Sequence, residues 1–163
     1  MPGRLNGTKA IITGGAGAIG MATARAFIRE GASVFITDYN QATVDGALRN
    51  LESESNPVFG SPADVTSDGE ISSMMAKASE VMDGITTLIN NAGTSSPGYL
   101  VDHLTEDIDR VLNVNTKGVI LCTQAAIPYL QKSEKASITV PLHKQGKEVG
   151  IKTLYIVPQK PQS

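Results

Sequence analysis

Short apolar, β-branched runs alternate with helical repeats along most of this chain, and that alternation restricts the fold more than any other feature. "KAIIT" (9–13) stops at glycines and predicts a buried strand. "AIGMATARAFIREG" predicts a helix ending at Gly31, with Ile19, Ala22, Ala26 and Phe27 near one face. "SVFIT" (33–37) predicts a second strand, followed by a helix for which Asn40 is a suitable N-cap. "PVFGSPADV" (57–65) contains a third strand. Ser67 and Glu70 then have the spacing of a capping box before a helix running to about Met82. "ITTLINNAG" (85–93) reads as a fourth strand and a loop. Thr105 to about Leu130 is one long helical pattern, with Ile108, Val111, Leu112 and Val119 among its apolar positions. Strands separated by helices predict an α/β chain whose parallel sheet carries helices on both faces.

Composition narrows the function classes. The 163 residues suffice for one domain with a core, and a net charge of −2 gives no sign of a nucleic-acid partner. Cys122 is the only cysteine, so no internal disulfide forms, in keeping with a reducing compartment. No apolar run approaches a membrane span, and "MPGRLNGTK" has no apolar signal core. A soluble, cytoplasmic protein with no membrane partner is the expectation. Charge is uneven, however. Residues 1–138 carry a balance of −5, whereas 139–163 carry +3 from four lysines against Glu148, with three of the eight prolines. The sequence therefore predicts a nucleotide-binding domain over 1–138 and an aberrant, disordered basic tail over 139–163.

"TGGAGAIG" (13–20) lies between a predicted strand and a predicted helix. Glycines there let the backbone approach a pyrophosphate, and the helix start offers N–H groups and a positive dipole end. A methyltransferase uses a similar loop, so the loop alone does not fix the ligand. Asp38 follows the second strand, 18 residues after Gly20. A carboxylate there accepts hydrogen bonds from both hydroxyls of an adenosine ribose and repels a 2′-phosphate. Neither Ala16 nor Tyr39 supplies the cation that NADP wants, so NAD is favoured over NADP. A simple turn Asp after a strand is the alternative.

These segments together resemble the short-chain dehydrogenase/reductase family, classical type, over residues 5 to about 138. The loop is similar to the family's T-G-x-x-x-G-x-G, with Thr13, Gly14 and Gly20 in place and Ala18 at the middle glycine. "ADV" (63–65) resembles the motif that holds the adenine amino group, through Asp64 and the backbone of Val65. "NNAG" (90–93) resembles the motif that lines the cofactor site, and "VNTKG" (114–118) the motif whose Asn, here Asn115, holds a water in the proton relay. The resemblance implies a Rossmann-like doubly wound sheet, an alcohol or ketone substrate and a homo-oligomeric assembly. It places the dinucleotide on Thr13, Gly14, Gly15, Ala18, Ile19, Gly20, Asp38, Asp64, Val65, Asn91, Ala92 and Gly93. His103 and His143 are isolated and lack metal-ligand spacing. Cys122 is expected to pack on a helix face, and Tyr99 to be either a substrate contact or a surface loop residue.

The family's remaining catalytic parts are a Ser, a Tyr and a Lys four residues after the Tyr, which makes the Tyr usable near neutral pH. The strand expected near Ser137 reads "SITVPLH". Four residues after Tyr155 stands Gln159, with Lys160 one position too late and Pro158 between. Yet the codons permitted for "YIVPQKPQ", read one frame over, allow Y-C-T-S-K-A-A, which is the family's Y-x-x-x-K box. The same frame permits a Ser 13 codons upstream, at Leu142. The tail therefore reads as a frame-shifted copy of an active site. A splice choice, a mutation or a gene-assembly error each gives this pattern. The sheet is expected to stop at strand order 3-2-1-4, lacking later strands and the interface helix, with the fourth strand an exposed edge. A non-catalytic dinucleotide-binding remnant, or a poorly folded product, is the alternative to an active dehydrogenase.

Overall fold

The computed structural model describes residues 3–52, 56–143 and 149–156. β1 (Lys9–Thr13), β2 (Ser33–Asp38), β3 (Val58–Pro62) and β4 (Thr87–Ile89) are parallel and lie in the order β3-β2-β1-β4. Helices α1 (Ala18–Arg29), α2 (Gln41–Leu51) and α3 (Asp68–Met82) connect them. After β4 come α4 (Thr105–Leu112), a wide helical turn over Asn113–Gly118, and α5 (Val119–Leu130).

Neighbouring strand residues point to opposite faces, so paired apolar residues build two cores. Ile11, Phe35 and Leu88 pack with Ile71, Met74, Met75, Cys122 and Leu130 of α3 and α5. Ile12, Ile36 and Ile89 pack with Ala24, Ile28 and Leu51 of α1 and α2. Both faces are covered, which is why these strands read as unbroken apolar runs.

The sheet does not stop at β4. β5 (Ala136–His143) pairs parallel to β4 through Thr87↔Ser137, Leu88↔Ile138 and Ile89↔Thr139. β6 (Val149–Ile156) then pairs antiparallel to β5, giving β3-β2-β1-β4-β5-β6. The expectation of an exposed fourth strand is therefore corrected. Pro141 lacks an N–H donor, which opposes a central strand, but the parallel ladder with β4 ends at Thr139. No bond to β4 is lost at the proline. Buried Ala136 and Ile138 join the α3/α5 core and hold β5 in place. The strand runs across the change of composition at Thr139.

Local expectations divide. Asn40 accepts a hydrogen bond from the Thr43 N–H (3.1 Å) and caps α2. Gly31 follows α1 at φ +94°, a conformation that suits only glycine well. The face expected for α1 holds only at Phe27, which packs against the α1/α2 core: the buried stripe is Gly20, Ala24 and Ile28, whereas Ile19 is 55% exposed and Ala22 and Ala26 are exposed. A stripe of three residues spaced four apart and beginning on a glycine lets the helix approach the loop beneath it. Ser67 makes no side-chain cap to α3, and Glu70 accepts from the Asp64 N–H (2.9 Å) instead of closing a capping box. The pattern over 105–130 is helical as expected, but it is opened by the wide turn at Asn113–Gly118.

Candidate functional site

At the carboxyl ends of β1, β2 and β4 lies a cavity of about 650 Å³. Its floor is the glycine loop. Gly14 has φ +59°, and a Cβ there would lie 2.8 Å from the Ala92 Cα. A Cβ on Gly20 would lie 2.3 Å from the Gly14 carbonyl oxygen, so the start of α1 sits directly on the loop. No side chain caps α1 at Gly17, and Gly17, Ala18, Ile19 and Gly20 all line the cavity. The helix start therefore faces the cavity with backbone. Ala18 is exposed at the cavity wall, where a methyl in place of hydrogen is accommodated.

Asp38 ends β2 and lines the cavity half-buried. Its carboxylate accepts from the Tyr39 N–H (3.0 Å), and its carbonyl from the Ala63 N–H (2.9 Å), which fixes the next loop beside it. Asp64 accepts from the Thr66 N–H and hydroxyl, each at 2.8 Å, and lines the cavity with buried Val65.

The "NNAG" segment ties three elements together. The Asn91 side chain donates to the carbonyls of Thr13 (3.1 Å) and Gly14 (3.0 Å). Buried Thr13 accepts from the Ala92 N–H at 3.0 Å through its hydroxyl. The Asn90 side chain donates to the Thr123 hydroxyl on α5 (3.2 Å), and its N–H to the Thr139 carbonyl on β5 (2.9 Å). Gly118 closes this side, because a Cβ there would lie 2.9 Å from Val65 Cγ2.

Of the sequence-predicted positions, Gly14, Ala18, Ile19, Gly20, Asp38, Asp64, Val65, Asn91, Ala92 and Gly93 line the cavity. Thr13 and Gly15 are buried beneath it. Asn115 is exposed, and its side-chain amide pairs with Thr94: Oδ1 accepts from the Thr94 N–H and Nδ2 donates to the Thr94 carbonyl, both at 2.8 Å. One acceptor site and one N–H of that amide remain for a water.

Sequence reasoning missed Thr94, Arg110 and Val114, which also line the cavity. Arg110 donates to the Thr94 hydroxyl (2.8 Å) and pairs with Asp107 (3.2 Å), holding the Asp107 carboxyl below the usual carboxylate range. The only sequence signal was its place, five residues before Asn115.

Tyr99 is 81% exposed and lies outside the cavity. Cys122 is buried in the core, and desolvation pushes its thiol up to about 12. Among the described residues, no group of three or more His, Cys, Asp or Glu is placed to hold a metal ion, and no helix is long and apolar enough to cross a membrane. Tyr155 lies in β6, opposite Ser137 in the ladder. Pro158, Gln159 and Lys160 lie outside the described residues, as does the His143 side chain.

Residues 8–148 match the family described as short chain dehydrogenase. The chain is 36% identical over 135 residues to the 3-oxoacyl-[acyl-carrier-protein] reductase FabG of Thermotoga maritima, covering 83% of this chain and 55% of that protein. It is 36% identical over 138 residues to the 2,5-dichloro-2,5-cyclohexadiene-1,4-diol dehydrogenase LinX of Sphingobium indicum, covering 85% and 55%. A crystal structure of a short-chain type dehydrogenase/reductase from Mycobacterium marinum superposes with a TM-score of 0.74 at 26% identity, covering 78% of this chain and 52% of that one. The chain thus spans about half the length of these curated relatives.

Proposed function

The chain belongs to the short-chain dehydrogenase family, and from that premise we propose that its cavity binds a nicotinamide dinucleotide, NAD in preference to NADP. The observation that carries this reading is the convergence on one cavity of the glycine loop, Asp38, the Asp64–Val65 turn and Asn91–Gly93. The cavity opens where β2 lies on one side of β1 and β4 on the other, the switch point at which doubly wound sheets hold dinucleotides. The floor fits the group, since Gly14 and Gly20 leave a cradle that a Cβ could not share. The start of α1 would face the pyrophosphate, Asp38 the adenosine ribose, and Asp64 with the Val65 backbone the adenine. Bound NAD supplies hydride transfer between its nicotinamide and an alcohol or ketone, the reaction class we assign to the family line of this chain.

This chain by itself is proposed to be inactive. The family's proton transfer needs a Tyr with a Lys four residues on, and that pair is absent as the sequence stands. Tyr155 lies in a strand, where successive side chains alternate faces. In a helix a residue four positions on returns to the same face one turn later. Asn115 keeps two free hydrogen-bonding positions for a water, but no described group is placed to continue the relay. The frame-shifted reading of the tail accounts for the missing pair. Genomic and transcript sequence around codon 138 tests it, and the idea fails if the offset frame gives no Tyr and Lys four apart.

Titration with NAD and NADP by calorimetry tests the cofactor. NAD is expected to bind more tightly, and Asp38→Ala to narrow the gap. Tighter NADP binding by the unchanged chain contradicts the assignment of Asp38. A screen of mixed alcohols with NAD, read at the NADH absorbance band, is expected to show no turnover. Positioned proton transfer contributes about 10²–10⁴-fold, so its loss alone lowers turnover by that factor. Activity that disappears in Asn115→Ala overturns the inactive reading.

A further inference from the structure

Three polar contacts converge on one residue at the rim of the cavity. Thr94 follows the "NNAG" segment, where the chain leaves the sheet. Asn115 brackets its backbone N–H and carbonyl, and Arg110 takes its hydroxyl at 2.8 Å. A regular α-helix turns about 100° per residue, so positions 110 and 115 would point about 140° apart. They nonetheless reach one target, the long Arg110 side chain from the helix and the Asn115 amide from the wide turn that follows it. The segment Asn113–Gly118 bonds from i to i+5, and such turns occur often at functional sites. The Asp107 carboxylate, 3.2 Å from the Arg110 guanidinium, fixes its other arm. Arg110 also donates to the Ser95 carbonyl at 3.4 Å.

We propose that Arg110 is a positioning residue for the nicotinamide half of the dinucleotide. It acts by locking Thr94, and with it Gly93, at the β4 side of the cavity. The inference rests on the dinucleotide reading above. Asp38 ends β2 on one side of β1, and Gly93 and Thr94 extend from β4 on the other. A dinucleotide lying across that switch point has its adenosine toward Asp38 and its second nucleoside toward Thr94. Gly93 has no side chain to hold it. The loop beyond it is exposed: Tyr99, Leu100 and Val101 are each more than three-quarters exposed. Position on this side therefore depends on the polar clasp. The planar guanidinium bonds Thr94 with one nitrogen and Asp107 with the other; a lysine offers its donors from a single nitrogen on a flexible stem and lacks that fixed fork.

The test compares NADH with ADP, which carries the adenosine and pyrophosphate but no nicotinamide. Binding of each to the unchanged chain, Arg110→Gln, Arg110→Lys and Thr94→Val is measured by calorimetry, with unfolding midpoints recorded alongside. Arg110→Gln and Arg110→Lys are expected to weaken NADH about tenfold, the effect of losing one hydrogen bond to a charged group, and to leave ADP within about twofold. Thr94→Val is expected to weaken NADH as well, and Arg110→Gln with Thr94→Val together to cost no more than the worse single change. Unchanged NADH affinity in Arg110→Gln overturns the proposal, as do parallel losses of NADH and ADP or additive effects in the double variant. If the unchanged chain binds neither ligand, the dinucleotide reading fails and the proposal falls with it. If it binds both and only the NADH–ADP contrast is missing, the proposal alone fails.

Discussion

Gly14, Gly15 and Gly20 have backbone or core atoms within 3 Å of where a Cβ would stand, whereas on the β4 side of the cavity Thr94 is only half-buried and Arg110 is exposed. Both regions shape the same cavity, but different forces hold them. The floor is fixed by close packing. α1 rests on the loop through Gly20, and the loop rests on Ala92 and Ile36. The rim is fixed by directed polar contacts. α4 has no buried residue at all; its Arg110, with Asn115 of the wide turn that follows, grips Thr94 at the cavity. A packed floor resists added atoms at Gly14, Gly15 and Gly20, because protein interiors are packed to the density of organic crystals. A polar clasp tolerates changes of size around it and depends on particular donors and acceptors.

The comparison can be broken from either side. The largest effect is expected at the floor. Gly20→Val drives methyl groups into the Gly14 carbonyl and is expected to cost about 3 kcal/mol or more. Urea unfolding and NADH binding would both register it, and a loss under about 1 kcal/mol would show that the loop yields after all. An intermediate effect is expected at Gly118, where a Cβ would lie 2.9 Å from Val65 Cγ2 and 3.1 Å from the Val65 carbonyl oxygen. Gly118→Ala is expected to cost about 1–2 kcal/mol. Adding Val65→Ala should recover part of that cost, because the side-chain clash goes and the carbonyl contact stays. No recovery would move the strain to the backbone alone. The smallest effect is expected at the rim. Ile108 is 43% exposed, so Ile108→Ser should change the free energy of unfolding by no more than about 0.5 kcal/mol. A larger loss would mean that α4 is packed in solution and that the contrast is false.

Legibility in the sequence follows the same division. Glycines forced by close approach were readable, since Gly14 and Gly20 stand at fixed spacing between a strand and a helix. Asp38 was readable because it ends a strand at a set distance from the loop. Arg110 was not, because nothing local distinguishes a helical arginine paired to Asp107 at i,i+3 from an ordinary surface pair. Its meaning depends on Thr94, sixteen positions earlier in the chain and brought near by the return from β4. The face of α1 was not legible because helical spacing groups Ile19 with Ala22, Ala26 and Phe27 as readily as it groups Gly20 with Ala24 and Ile28. Ile19 lines the cavity while Gly20 meets the loop.

The sequence by itself determined the alternation of strands and helices and the start of α2 at Asn40. These depend on side-chain periodicity and on caps that act within a few residues. Only the tertiary structure decided which stripe of α1 meets the sheet and that Glu70 turns to Asp64 rather than to its own helix cap. It also decided that β5 extends the sheet through the change of composition at Thr139. In each case two local options were open, and the choice fell to whichever buried apolar surface or satisfied a backbone N–H in the assembled core. Thus Ala136 and Ile138 are drawn against α3 and α5, and Asn90 donates its N–H to the Thr139 carbonyl. A strand beside β4 is held by partners distant in sequence, which no reading of the tail alone contains.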